Sequence, residues 1–169
     1  MSTRRSRANA ERNLVAFEVA GVAYAVDIQR VREIVRPLSV VALPHLPPAV
    51  VGVVDHRGDV VPIVDLRLRF GAPFAAHTKD LRWLFVTREA RLLGLVVDRV
   101  LEVFGAVESA TREAPDLGSG YAQRAIRGAC THAGRLLFVL DVDLLTAVVD
   151  ELELSTAALT AGRGADEGR

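Results

Sequence analysis

The feature that most constrains the fold is an internal repeat in the amino-acid sequence. The stretch AVVGVVDHRGDVVPIVDL, which begins at Ala49, aligns without gaps on AIRGACTHAGRLLFVLDV, which begins at Ala125. In both copies, two apolar runs flank a short polar stretch with a glycine, which is typical of a β-hairpin with a tight turn. A chain that carries the same hairpin twice is predicted to contain two copies of one β unit. The identical pairs are Ala49 and Ala125, Gly52 and Gly128, His56 and His132, Gly58 and Gly134, and Asp65 and Asp141.

A second block of the sequence repeats in the same order. RVREIV, from Arg30, lines up with RVLEVF, from Arg99, and LRWLFV with its following turn matches the first hairpin of the chain. Half of the residues are hydrophobic, and valine is abundant, which suits the pleated surface of a sheet. Strands of this number and length, separated by regular turns, favour an all-β fold made of a pair of small barrels.

Composition argues against several classes of function. The formal net charge is zero and aromatic residues make up 5% of the chain. A small-barrel protein that binds nucleic acid needs a basic face interleaved with aromatic side chains, so this alternative is disfavoured. Cys130 is the only cysteine, which excludes an internal disulfide and fits a reducing cytoplasm. No apolar run approaches the roughly 20 residues that span a bilayer.

The polar residues show no pattern typical of catalysis or of metal binding. The histidines do not recur at the spacing of a helical zinc site, and a role in the hairpin turns explains both His56 and His132. A hydrolase with an Asp–His pair would need a nucleophile in a recognised context, and the sequence offers none. We therefore predict no enzymatic activity, no metal site and no cofactor.

The two ends of the chain differ from the barrel pattern. Residues 1–13 are predicted to form a disordered basic arm. The run DLLTAVVDELEL predicts a C-terminal helix that packs against a barrel, with Asp143 as its N-cap and residues 150–169 as its end and a flexible tail. The apolar stripe predicted for this helix consists of Leu144, Leu145, Val148, Val149 and Leu152.

Two residues of the first repeated hairpin point to protein recognition. Arg57 lies at the hairpin tip, and its equivalent in the second copy is Ala133, so the hairpin itself does not require an arginine. A guanidinium at such a tip can reach a neighbouring acid or a partner chain. Gly52 lies where a side chain would obstruct either the packing of the hairpin or a docked partner.

The string Arg57-Gly58, followed by an apolar run with an internal proline and then D-L-R, strongly resembles the CheW-like family. The members of this family are adaptor proteins of bacterial chemosensory arrays. The resemblance covers about Leu14 to Val149. Other segments that agree are YAVDI from Tyr24, VREI from Val31, GLVVDRV from Gly94, APDLG from Ala114 and GRLL from Gly134.

The resemblance implies two five-stranded β-barrels that are similar to SH3 domains. We expect a CheW-like domain over residues 14–149, divided into a first barrel at about 14–76 and a second at about 77–149. Exchange of strands between the two barrels is left open, because terminal strands can swap between lobes.

The same resemblance implies a non-enzymatic adaptor in the cytoplasm. It would join the cytoplasmic tip of a methyl-accepting chemoreceptor to the regulatory domain of a CheA-type histidine kinase, and it would meet the membrane only through receptors. A scaffold of a related motility, pilus or developmental pathway is the alternative.

The resemblance also implies roles for single residues. Val31, Glu33 and Arg57 match receptor-facing positions, and Gly52 is assigned to kinase binding or to interface packing. We expect Arg57 to form an ion pair with Glu33 on an adjoining strand. The family usually has Asn-Leu before the arginine, whereas this chain has Asp-His.

Overall fold

The computed structural model describes residues 11–73, 76, 78–107, 110–114, 116, 118, 120 and 124–150. The chain forms ten strands and two short α-helices within these residues, together with 3₁₀ turns at Ile28–Arg30 and Ala147–Val149. The strands are β1 Glu11–Val19, β2 Val22–Asp27, β3 Val31–Val35, β4 Val50–His56, β5 Asp59–Asp65, β6 Arg82–Arg88, β7 Arg91–Val97, β8 Arg99–Val107, β9 Ile126–His132 and β10 Arg135–Leu140. The helices are α1 Leu66–Arg69 and α2 Val142–Thr146.

The strands form two five-stranded sheets, and each sheet combines strands from both halves of the sequence. One sheet, which we call barrel 1, has the order β8-β1-β2-β10-β9, and the other, barrel 2, has the order β3-β6-β7-β5-β4. The all-β fold with two five-stranded units is therefore confirmed. The exchange of strands that was left open is present, because the turn after β2 leads the chain directly into β3 of the other sheet, and no boundary near residue 76 separates the two barrels.

The two barrels are copies of one topology. The strands β3, β6, β7, β5 and β4 occupy in barrel 2 the places of β8, β1, β2, β10 and β9 in barrel 1. In each barrel the repeated hairpin joins its neighbour through a parallel pair, β5 with β7 and β10 with β2. The hairpin turns also agree, because both central residues have positive φ: Arg57 and Gly58 in one, Ala133 and Gly134 in the other. The internal repeat thus corresponds to equivalent places in the fold.

Buried side chains fall into three hydrophobic cores. One core lies within barrel 1 and contains Leu14 and Phe104, and another lies within barrel 2 and contains Trp83 and Phe85. The largest core, which we call the shared core, takes side chains from both sheets. Successive residues of a strand point to opposite faces, so a strand such as β6 fills its own barrel with one face and the shared core with the other. This explains why the strands are apolar on both faces.

An ion pair anchors each short helix to the chain beside it, and the two pairs have opposite polarity. Next to α1, Arg67 donates from Nε and Nη2 to the two carboxylate oxygens of Asp98, at 2.6 and 2.5 Å. In α2 the residue equivalent to Arg67 is Asp143, which accepts from Nη1 and Nη2 of Arg30 at 3.1 and 2.5 Å. The hydrogen bonds from Arg30 lower the pKa of the Asp143 carboxyl group.

The first strand is longer than the apolar pattern predicts. It begins at Glu11, so residues 11–13 belong to β1 and not to a disordered arm. These residues are exposed and polar, but they pair with the end of β8, where Glu11 lies opposite Val107. Backbone pairing therefore extends the strand beyond its apolar part. Residues 1–10 of the predicted arm lie outside the described residues.

The C-terminal helix is interrupted by a 3₁₀ turn and has a different N-cap from the one predicted. Asp141 caps α2 by accepting from the backbone N–H groups of residues 143 and 144, whereas Asp143 lies inside the helix and bonds Arg30. The predicted stripe does not hold at Leu144, which lies within α2 and is 48% exposed. Leu145, Val148 and Val149 are buried in the shared core, and Leu152 lies outside the described residues.

The neighbouring leucines of α2 test the importance of the shared core. Leu145 is 1% exposed, and we expect Leu145→Ala to lower the free energy of unfolding by about 2–5 kcal/mol, because it opens a cavity between the barrels. The matched control Leu144→Ala should change it by no more than about 0.5 kcal/mol. Denaturant unfolding measures both values. Equal losses in the two variants would show that the shared core does not hold the barrels together.

Candidate protein-docking surface

The tip of the β4–β5 hairpin holds Arg57 in a fixed backbone conformation. The turn places Arg57 and Gly58 at φ +55° and +86°, and the Asp55 carboxylate accepts from the N–H of Gly58 at 3.1 Å. This bond from a side chain to the backbone closes the turn. The Arg57 side chain is 74% exposed and projects from the barrel surface.

Glu33 connects the two strands at the ends of the sheet of barrel 2. Its Oε1 accepts from Nη2 of Arg57 at 3.1 Å, and its Oε2 lies 3.1 Å from Nε2 of His56. β3 and β4 are the first and last strands of this sheet, so the contacts close the barrel at its open side. We call the group of Glu33, His56 and Arg57 the docking seam. The predicted ion pair between Arg57 and Glu33 is present, whereas the contribution of His56 was not predicted.

Val31 is not an exposed apolar spot beside the docking seam. Its side chain is partly buried and packs against the shared core. Ile34 is instead the large apolar side chain of β3 that faces solvent. A bulge in the pairing of β3 with β6 lies between Val31 and Glu33, and the receptor-facing role that the resemblance implies for Val31 stays a prediction.

Gly52 packs against the chain's own backbone. Residue 41 forms an isolated bridge with Val53, with hydrogen bonds of 2.8 and 3.0 Å. A Cβ at Gly52 would lie 2.5 Å from the carbonyl oxygen of Val41 and would also collide with Val40, and the φ of Gly52 is +152°. The structure therefore shows packing of the hairpin as the reason for glycine here.

The segment that Gly52 supports exposes several apolar side chains. We call residues 38–43 the apolar segment. The surface of this segment was not predicted, because it lies in a proline-rich stretch, although the apolar residues between Pro37 and Pro44 were a visible signal. The exposed side chains of the segment are Leu38, Val40, Val41 and Leu43, of which Val41 is the most exposed at 59%.

Barrel 1 repeats part of this arrangement without the arginine. Nε2 of His132 lies 3.2 Å from Oε2 of Glu102, which joins β9 to β8 as His56 and Glu33 join β4 to β3. Gly128 packs against Arg112, whose backbone bridges to Ala129, as Gly52 packs against residue 41. The contact between a histidine and a glutamate at the closing strands is thus a property of the duplicated barrel.

Two further classes of site are absent from the part of the chain that the structure describes. Among those residues, no group of three or more histidine, cysteine, aspartate or glutamate side chains could hold a metal ion. None of the helices formed by the same residues is long and apolar enough to cross a membrane.

Comparisons with known proteins agree with this fold. The CheW-like domain model matches residues 13–149. Chemotaxis protein CheW of Rhizobium meliloti (strain 1021) is 32% identical over 135 residues, which cover 80% of this chain and 87% of the relative. Protein FrzA of Myxococcus xanthus is 33% identical over 97 residues, which cover 57% of this chain and 60% of that protein. The crystal structure of the scaffolding protein TtCheW from Thermoanaerobacter tengcongensis superposes with a TM-score of 0.74 at 27% identity, covering 80% of this chain and 92% of that one.

The double barrel and its matches define a scaffolding protein of the chemosensory type. The chain belongs to the CheW-like family. Its role is that of a coupling adaptor in chemotaxis signal transduction.

A substitution at Gly52 tests whether this glycine holds the apolar segment in place. We expect Gly52→Ala to destabilise the protein by about 1–3 kcal/mol more than Gly58→Ala, because its Cβ collides with residues 40 and 41. Gly58 is a matched control, since its φ is also positive but a Cβ there would meet no atom within 4 Å. Chemical denaturation of the two variants measures the difference. Equal stabilities would mean that the segment moves aside freely.

Proposed function

We propose that this chain joins the cytoplasmic tip of a chemoreceptor to the regulatory domain of a CheA-type histidine kinase, without catalysing a reaction itself. The observation that supports the proposal is the presence of two chemically different exposed surfaces on barrel 2. One is the docking seam, which is charged, and the other is the apolar segment. Two partners with different surface chemistry can then bind one body.

The docking seam suits the receptor. An exposed ion pair contributes only ~0–1 kcal/mol to stability, so folding gives little reason for the pair of Arg57 and Glu33. The pair does hold the guanidinium in one orientation, which reduces the entropy that binding would otherwise cost. A guanidinium in a fixed position can receive an acceptor group on a helix, and receptor tips are expected to offer helices.

The apolar segment suits the kinase. An exposed cluster of large aliphatic side chains is unfavourable in water unless a partner covers it. Gly52 holds the segment against β4, so a substitution at Gly52 would disturb a partner bound to the segment without any contact of its own. The position of Gly52 supports the expectation that it serves kinase binding or interface packing.

Coupling between the two partners follows from the rigidity of the molecule. The docking seam and the apolar segment lie on the same barrel, and the shared core fixes this barrel to its copy. A well-packed interior resists deformation. A receptor bound at the docking seam therefore determines the position of a kinase bound at the apolar segment.

Replacement of Arg57 tests the assignment of the docking seam. We expect Arg57→Ala to leave the melting temperature nearly unchanged while it weakens binding to a receptor signalling fragment by about tenfold or more, which is typical of a central interface arginine. Binding to the kinase regulatory domain should change little. Arg135→Ala, which removes an arginine that pairs with Glu18 on barrel 1, is the matched control and should bind both partners normally. A large loss of stability with receptor affinity intact would show that Arg57 is structural.

Replacement of Val41 tests the assignment of the apolar segment. We expect Val41→Asp to weaken binding to the kinase regulatory domain by about tenfold or more and to leave binding to the receptor fragment unchanged, because it places a charge in an apolar contact. Val103→Asp is the matched control, since Val103 is a valine of barrel 1 that is 51% exposed. Titration calorimetry measures both affinities, and thermal melting confirms that both variants fold. Equal kinase affinity in the two variants would contradict the assignment.

A further inference from the structure

His56 occupies a partly buried position in the docking seam, between Phe85 and Glu33. Its side chain is 14% exposed, and its ring meets Phe85 of β6 edge-on, with the ring centroids 4.6 Å apart. This packing directs Nε2 toward the carboxylate of Glu33. The other oxygen of the same carboxylate bonds Arg57, so Glu33 is held from two sides.

We propose that His56 is a positioning residue for receptor docking, which fixes Glu33 and thereby Arg57 and makes receptor affinity depend on pH. The inference rests on the proposed function, because it concerns the same surface. His56 acts through Glu33 and Arg57 and does not need to touch the receptor itself. The partner chemistry that this arrangement favours is a helix that presents a carboxylate to the exposed guanidinium.

The charges around His56 give the direction of the pH effect. His56 lies in a cleft of about 310 Å³ that is also lined by Arg32, Glu33, Arg57 and Asp59. Asp55 adds a third carboxylate in the hairpin, where it bonds the turn. β6 contributes uncharged groups, the ring of Phe85 and the Thr87 side chain.

Protonation of His56 changes the docking seam in two ways. It converts the hydrogen bond with the Glu33 carboxylate into an ion pair, because both groups are then charged. It also adds a positive charge to a cleft in which two arginines stand near three carboxylates. Both changes favour a carboxylate on the partner. Receptor affinity is therefore higher at low pH than at high pH.

The second barrel provides an internal control for this proposal. His132 makes the equivalent contact with Glu102, but its ring stacks flat on Phe104 with centroids 4.1 Å apart, and Ala133 stands in the place of Arg57. The pair of His132 and Glu102 closes barrel 1 without a guanidinium to position. A purely structural role of the histidine predicts the same effect for both positions, whereas positioning predicts an effect at His56 alone.

The experiment measures the affinity of the full chain for a purified cytoplasmic signalling fragment of a chemoreceptor from the same cell, between about pH 6 and about pH 8. We expect the wild type to bind about fivefold more tightly at the lower pH. His56→Leu keeps an apolar contact with Phe85 but loses the hydrogen bond. It should bind about fivefold more weakly than the wild type at the higher pH, where His56→Gln does not, and lose the pH dependence.

Two further variants separate positioning from structure. His56→Gln retains an N–H donor for Glu33 without a titratable charge, so it should recover the wild-type affinity at the higher pH while showing no pH dependence. His132→Leu should retain the wild-type affinity and pH profile. A wild-type pH profile in His56→Leu, or an equal loss in His132→Leu, would overturn the proposal.

The outcomes also separate this proposal from the proposed function. Failure of the wild-type chain to bind the receptor fragment at any pH, while it still binds the kinase regulatory domain, would contradict the receptor assignment. Binding of both partners with an affinity independent of pH would refute the role of His56 alone. Melting curves of each variant at both pH values establish that the compared proteins are folded.

Discussion

The shared core is the constraint on which the rest of the molecule depends. Each of the main strands is buried on two faces, one inside its own barrel and one against the other barrel. Neither barrel could expose the second face to water without losing a large part of its hydrophobic stabilisation. The two barrels are therefore one body. For an adaptor, this rigid connection matters more than the stability of either barrel, because a flexible connection would not fix the position of one partner relative to the other.

The sequence predicted the repeated hairpins but not their partners. A hairpin is a local structure, and the glycines of its turn and the aspartate at the end of its second strand can be read directly from the sequence. The choice between β3 and β8 as the neighbour of β1 is not local. An Arg-Val pair marks the start of both segments, and a glutamate follows at the same spacing, so their patterns could not show that each strand pairs with the hairpin of the other half. The N-cap of α2 was misplaced for a related reason, because Asp141 and Asp143 are equally good caps by type.

The docking surface was predicted in part. The contact of Arg57 with Glu33 followed from the family resemblance and from the exposed place of the arginine in its turn. The participation of His56 depends on the direction of its ring, which Phe85 determines from a strand that is distant in the sequence. The apolar segment was missed since proline-rich stretches lack periodicity, and only the bridge to Val53 shows that this one lies along β4.

The ion pairs beside the two helices have a consequence for the way the duplicated chain assembles. In a molecule with two similar halves, each repeated hairpin and its helix could pack into the equivalent position of either barrel. In the native arrangement Arg67 meets Asp98 and Asp143 meets Arg30. In the exchanged arrangement Arg67 would face Arg30, and Asp143 would face Asp98. Repulsion between like charges destabilises the exchanged arrangement. The opposite polarity of the two ion pairs therefore favours the native packing of each hairpin over the exchanged packing that a duplicated sequence would otherwise permit.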